Sequence, residues 1–229
     1  GKILSNFLLL RYLKKIFYNS VAELRSMKKL MMMLAGALMW GATANAQTDI
    51  ILRGGFATNQ FVGDSYEHSE MNPGYNVGIE FNNYIKNGLY WNSGLLFGSR
   101  GYKYSSKVSG VSLTNKLRAH NIQIPVTIGY KYDLGSGIAL DGRIGGFFSA
   151  DIAGKSTSTG SLAGVGSSTD TKIGDINGYK RCDGGLIIGV GLWYQNVNLD
   201  FAYQRGFADI TDYSDGGASN FLIRLGYAF

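Results

Sequence analysis

The chain has 229 residues, 45% of them hydrophobic and 17% charged, with 33 glycines, 15 tyrosines and one cysteine. Its formal charge of +6 is unevenly spread: seven of the 22 basic residues but one of the 16 acidic residues precede Gln47, leaving 15 of each from there onward. A near-neutral body has no electrostatic footprint for nucleic acid, and the lone Cys182 excludes an internal disulfide.

Residues 27 to 46 open on Met27-Lys28-Lys29, continue through an apolar run from Leu30 to Trp40, and close on Ala44-Asn45-Ala46. A positive start, a short apolar core and a small-residue end describe a secretory signal peptide cut before Gln47. The apolar run falls short of the ~20 residues a helix needs to cross a bilayer, so a retained signal anchor is the weaker reading. The residue directly after the cut site is Gln47 and not Cys, which argues against a lipoprotein. Residues 1 to 26 carry the basic run Arg11 to Lys15 and stand before this complete signal, so they read as an upstream extension or an over-extended gene start. An amphipathic, membrane-touching helix from Phe7 to Tyr18 is the competing reading. Residues 47 to 229 are then one domain.

From Gln47 on, eight alternating segments follow in order, near 49–58, 74–85, 89–102, 117–132, 138–151, 180–194, 197–207 and 219–229. Their connections alternate in length. The first, third, fifth and seventh, at about 59–73, 103–116, 152–179 and 208–218, are long. The others are short: Lys86-Asn87-Gly88 has the Asn-Gly hairpin signal, Asp133 to Gly137 is a Gly-rich turn, and Gln195-Asn196 is a two-residue turn. Long and short connections must lie at opposite ends of an up-and-down sheet, and an even strand count returns both termini to the short-turn end.

Alternation divides each segment into two faces. Tyr75, Val77, Ile79 and Phe81 oppose Asn76, Gly78, Glu80 and Asn82; Val197, Leu199, Phe201 and Tyr203 oppose Asn198, Asp200, Ala202 and Gln204. In the fourth segment Ile122, Ile124, Val126, Ile128 and Tyr130 oppose Asn121, Gln123, Thr127 and Gly129, with Pro125 predicting a bulge or local break. About ten tilted residues span an apolar band of ~25 Å, and lipid makes such an exterior favourable. The expected fold is all-β, an eight-stranded antiparallel up-and-down transmembrane β-barrel. A soluble barrel with its apolar face inward would put Arg53, Arg100, Arg143 and Arg224 in water. The glycines that crowd the same face (Gly55, Gly78, Gly94, Gly98, Gly145, Gly189 and Gly191) suit a narrow packed lumen better. Tyr84, Tyr90, Trp91, Tyr102, Tyr130, Tyr132, Trp193, Tyr194, Tyr203 and Tyr227 gather near strand ends and read as two aromatic girdles.

With the polar face inward, the lumen collects Arg53, Glu80, Arg100, Asp141, Arg143, Asp183, Asp200 and Arg224, four of each sign. Eight strands enclose a space just wide enough for side chains to fill, so this set is expected to form a salt-bridged plug. Other motifs carry less. Gly154-Lys155-Ser156-Thr157 imitates the end of a phosphate-binding loop, but Ser149 stands where the first Gly belongs and a Ser/Thr/Gly-rich segment follows in place of a helix, read as a solvated, mobile external loop. His68, among Asp64, Glu67 and Glu70, offers weak divalent-cation binding at most. His120, beside Arg118, offers a hydrolytic site only if a Ser and an acid join it, and otherwise reads as an interfacial polar residue. No motif calls for a cofactor.

The run His-Asn-Ile-Gln-Ile-Pro-Val-Thr-Ile-Gly-Tyr-Lys-Tyr (His120 to Tyr132), the Gly-rich Gly142 to Ser149, Asp183 to Gly191, Tyr203-Gln204-Arg205-Gly206 and the closing Leu225-Gly226-Tyr227-Ala228-Phe229 occur in that order. Together they resemble the PorT-like outer-membrane β-barrel family over most of residues 48 to 229. The resemblance implies an outer-membrane location, lipid bilayer as surroundings, and links in some members to secretion machinery or surface interactions. The ending Leu225, Tyr227 and Phe229 resembles the signal read by the barrel assembly machinery. The expected role is a non-enzymatic barrel presenting external loops to a surface or secretion-system partner, with a small-solute pore and a lipid-modifying enzyme as the alternatives.

Overall fold

The computed structural model of the chain describes residues 47–62, 70–108, 111–162, 165–208 and 217–229. The signal-peptide and upstream readings, and His68 with Asp64 and Glu67, lie outside the described residues. The described residues contain nine strands: β1 (Thr48–Val62), β2 (Asn72–Lys86), β3 (Leu89–Val108), β4 (Val111–Gly135), β5 (Ile138–Leu162), β6 (Val165–Lys172), β7 (Cys182–Tyr194), β8 (Val197–Gly206) and β9 (Gly217–Ala228). A single 3-10 turn, Ile173–Asp175, follows β6.

Eight of the strands form a closed antiparallel ring, β1-β2-β3-β4-β5-β7-β8-β9, sealed where β1 pairs with β9 from Ile51↔Ala228 to Val62↔Gly217. Closure satisfies every edge, which is the condition for strands to cross hydrocarbon. The short connections turn as their residues dictate. Asn87 and Gly88 both take positive φ (50° and 83°), the pairing an Asn-Gly hairpin provides; Gly135, Ser136 and Gly137, and then Gln195, adopt the same left-handed region. Gln47 and Phe229 share the end of the ring with these three turns: Gln47 accepts a backbone hydrogen bond from Tyr84, and the Phe229 amide bonds to Ile50.

Two long connections differ from the expectation. β3 and β4 run on to Val108 and Val111, and β5 continues to Leu162 before β6 returns to Lys172, so β3, β4, β5 and β6 build a tall ribbon above the ring. The segment read as a mobile external loop is therefore largely strand. Its Thr content suits a pleated surface, and pairing with the neighbouring strands decides the matter. The switch occurs at Ile152, an extra residue between His120↔Ala153 and Asn121↔Asp151: below this bulge β5 pairs with β7, above it with β6. Pro125 produces no register shift. Pairing with β5 continues through Pro125↔Phe147, while toward β3 the register lapses between Ser93↔Val126 and Leu96↔Gln123. The missing amide donor costs bonds on one side only.

The outward face carries a continuous apolar surface. Ile50, Leu52, Val77, Ile79, Leu95, Val126, Ile128, Ile144, Leu186, Ile188, Val190, Phe201, Ile223 and Leu225 are all exposed. No helix among the described residues is long and apolar enough to cross a membrane, which says nothing of a β-barrel.

Candidate functional site: the packed lumen

The inward side chains are layered. Along β7 from the long-connection end, Asp183, Ile187, Gly189, Gly191 and Trp193 follow one another, and β9 gives Ala218, Leu222, Arg224 and Ala228. At the short-turn end Ile51, Ala139, Trp193 and Ala228 form an apolar floor. Above it lies a charged tier, then an apolar layer of Ala57, Phe147, Ile187, Ala202 and Leu222. A second charged tier follows, topped by a cap in which Tyr102, Ile176 and Tyr179 pack on Leu117, Ile173 and Ala218.

The lower tier contains three guanidiniums and three carboxylates. Arg224 donates through Nε and Nη2 to Asp200 Oδ2 at 2.8 and 2.7 Å, and through Nη1 to Glu80 Oε1 at 3.1 Å and Asn76 Oδ1 at 2.8 Å. Arg53 pairs with Glu80 through Nη1 and donates to Asn198 Oδ1 at 2.9 Å through Nη2. Arg143 pairs with Asp200, and its Nη1 lies 3.9 Å from Asp141. Neutral groups complete the tier: Tyr90 OH donates to Asp141 at 2.8 Å and Asn92 Nδ2 to Glu80 at 3.2 Å. Arg53, Glu80, Asp200 and Arg224 are each at most 1% exposed. Glycine makes this crowding possible, since a Cβ on Gly191 would stand 2.1 Å from Asp141 Oδ1 and one on Gly189 2.9 Å from the Arg143 guanidinium carbon.

The upper tier is smaller. Arg100 donates through Nε to Asp151 Oδ2 at 2.9 Å, through Nη1 to Asp183 Oδ2 at 3.1 Å, and through Nη2 to the Lys180 carbonyl at 3.0 Å. Asp183 also accepts the Ala208 amide at 3.0 Å. The structure thus places all eight charged residues named from the sequence inside the barrel, but in two tiers of six and two, and adds Asp151 to the second. Asp151 lies two residues past Ser149 on the same face, at the end of the segment marked at 138–151, so the alternation already placed it with Asp141 and Arg143.

Aromatic placement corrects the girdle reading. Tyr130, Tyr132, Tyr194 and Tyr227 are exposed, and Trp91 and Tyr203 share their outward face. Tyr90 and Trp193 are buried in the lumen, and Tyr84 and Tyr102 share that inward parity. Adjacent aromatics such as Trp193 and Tyr194 cannot both face out in a pleated strand. At the short-turn end, Lys131 Nζ sits 3.8 Å from the Trp193 ring centroid and 3.8 Å from Asp49, which also accepts the Tyr84 hydroxyl at 2.8 Å. These groups line an open vestibule of about 570 Å³ that ends on the apolar floor.

His120 lies on the outer face. Its Nδ1 bonds to Tyr75 OH at 2.8 Å, and its ring stacks near Phe97 at 6.3 Å. Ser99, opposite it on β3, takes bonds from Asn59 and the Tyr75 amide. Glu70 pairs with Lys103 at 2.9 Å, and no cluster of three metal-ligating residues occurs among the described residues. Gly154-Lys155-Ser156-Thr157 lies within β5, and Lys155 Nζ donates to Asp170 at 2.6 Å. That bond and a second from Thr157 hold the Asp170 carboxyl below the usual carboxylate range. Leu225, Tyr227 and Phe229 face outward, the last two rings meeting edge to face at 5.0 Å.

Residues 43–212 match the family described as the outer membrane protein beta-barrel domain. The chain belongs to that family. Membership accounts for the inverted faces and gives the protein an outer-membrane location. No curated protein matches the chain in sequence. Among solved structures, Ail, the attachment invasion locus protein of Yersinia pestis, solved with the heparin analogue sucrose octasulfate, is 16% identical, with 80% of this chain and 99% of that one covered and a TM-score of 0.40. Neisserial surface protein A is 14% identical over 80% and 99% of the two chains, at 0.42. The outer membrane enzyme PagL is 12% identical over 77% and 98%, at 0.40. The family match alone carries the assignment.

Proposed function

We propose that the protein is a non-enzymatic outer-membrane stalk: a closed barrel, exported by the signal at residues 27–46, that holds its termini in the periplasm and presents the β3 to β6 ribbon outside the cell. The observation that carries this reading is the filled lumen, in which two ion-paired tiers alternate with three apolar layers. Such a column favours rigidity over passage of a solute. The commitment of His120 to Tyr75 supports a non-catalytic role. The motif series that resembles PorT-like barrels favours an accessory role toward a secretion or surface partner, and the outward Leu225, Tyr227 and Phe229 suit recognition by the barrel assembly machinery.

Two measurements test it. In planar bilayers the purified protein is expected to give no steady single-channel current; a large, stable conductance would make it a pore. In intact cells a cysteine at exposed Ser158, introduced with Cys182→Ser, is expected to react with a membrane-impermeant maleimide, and one at Asn87 only after permeabilisation. The reverse pattern would invert the orientation. A photo-crosslinker at Ser158 should then capture one discrete protein, and capture of none counts against loop presentation.

A further inference from the structure

The outer face of the ribbon carries cations directly opposite one another. Lys103 pairs in register with Lys116, Arg118 with Lys155, and Lys155 with Lys172. Residues in direct register share a face, and Lys116 and Arg118 are two apart on β4, so all five cations lie on one side of β3 to β6. That side is outward, because the intervening Tyr102, Leu117 and Ala119 point into the barrel. Like charges placed directly across a sheet are destabilising. Three such pairs in two adjacent rows therefore need a counter-charge. Among the described residues this patch holds two ion-paired carboxylates, Glu70 with Lys103 and Asp170 with Lys155. Among the described residues no carboxylate pairs with Lys116, Arg118 or Lys172; Arg118 Nη2 donates to the Pro73 carbonyl at 2.9 Å.

The height of the patch says what the counter-charge is. On the same face, directly below, come His120 stacked near Phe97, then Ile122 and the exposed Ile152 at the bulge, where the lipid-facing band begins. Lys155 stands three residues above Ile152, and at ~3.3 Å per residue and a tilt near 40° the two rows lie roughly 8 and 13 Å above the apolar edge. The lower row, Arg118, Lys155 and Lys172, stands at the outer limit of the headgroup zone, since the polar regions add about 5–8 Å to each side of a ~30 Å hydrocarbon core, and the upper row lies roughly 5 Å beyond it, about the reach of a lysine side chain. Cations at loop tips would meet soluble partners, whereas a strip continuous with the lipid-facing band meets lipid first.

We infer that Lys103, Lys116, Arg118, Lys155 and Lys172 form a docking strip for the phosphates of a lipid in the leaflet that faces the long connections. The strip rests on the proposed membrane insertion but on neither the loop partner nor the orientation in the cell. Arg118 and Lys155, side by side on β4 and β5, are placed to share one phosphate, with Lys172 and Lys116 flanking them. The lipid's acyl chains would then run down over Ile152 and Ile122.

Native mass spectrometry of the purified protein in zwitterionic micelles tests this, with diphosphorylated lipid A as probe and the same lipid stripped of both phosphates as control. The wild type is expected to retain the phosphorylated lipid about tenfold more tightly than the stripped one, and to lose that preference as salt is raised, by screening of exposed charges. Arg118→Ala/Lys155→Ala/Lys172→Ala should abolish the preference with heat-modifiable gel mobility intact, while Lys86→Ala at the other end leaves it unchanged. If the triple variant fails to fold, Lys155→Gln/Lys172→Gln is used, and the wild-type salt dependence stands independently. Equal retention of both lipids, an unchanged preference in a folded variant, or tighter retention of heparin than of the phosphorylated lipid would each overturn the assignment. Because micelles have no cell exterior, a failed surface-labelling result and a failed lipid result remain distinguishable.

Discussion

Asp200→Asn is expected to lower the stability of the folded barrel by on the order of 3–5 kcal/mol, read as a fall in the urea midpoint in micelles and a lower temperature for loss of heat-modifiable mobility. Asp200 is fully buried and accepts from Arg224 twice and from Arg143 once. The amide keeps the volume but removes the charge, leaving Arg53, Arg143 and Arg224 facing Glu80 and Asp141 in a space that excludes water. Because the cost comes from stranding the partner's charge, a second change that removes a partner should recover part of it: Arg224→Met combined with Asp200→Asn is expected to cost less than the sum of the two alone. Strict additivity would show that the tier is not a coupled network. Glu80→Ala should behave like Asp200→Asn, since Glu80 accepts from both Arg53 and Arg224. Neither variant should open a conductance, because the apolar layer from Ala57 to Leu222 and the floor at Trp193 remain.

Ile188→Arg is the second large effect. Ile188 is 53% exposed on the outer face of β7, next in sequence to Ile187 of the mid-lumen apolar layer. On a soluble protein such a site accepts arginine for less than about 0.5 kcal/mol. On a barrel in lipid the guanidinium enters the hydrocarbon near the midplane, at about 2–4 kcal/mol, so refolding into vesicles of defined thickness should show a loss of that size. Its counterpart at the rim, Tyr194→Arg, should cost about 0–1 kcal/mol, because headgroups and water solvate the charge there. Equal, small costs at both depths would mean that the apolar face does not meet hydrocarbon.

The alternation along β2, β7 and β9 is enough to read which residues face together, because a pleat sends neighbours to opposite sides whatever else the chain does. Long and short connections gave the eight-stranded ring and the end that holds Gln47 and Phe229. The aromatics were misread where closeness to a strand end was weighed above parity: Tyr90 and Trp193 obey the alternation and lie inside. The ribbon above the ring was hidden by composition, since Ser, Thr and Gly from Ser156 to Ser168 describe a solvated strand as well as a solvated loop. Only the pairing of β5 with β4 and β6 separates the two.

What the sequence settled alone was the barrel, its inverted faces and the eight charges it encloses, all of which follow from a period of two. Which charge meets which, and the division into two tiers with Asp151 in the upper one, depend on register and on the stagger of strands far apart in the chain: Arg224 meets Glu80 144 residues away, and Arg53 meets Asn198 145 residues away. The cationic rows of the ribbon arose the same way. Lys103, Lys116, Lys155 and Lys172 are scattered along the chain, and antiparallel pairing alone sets them side by side, because in a sheet proximity is decided across strands by hydrogen-bond register.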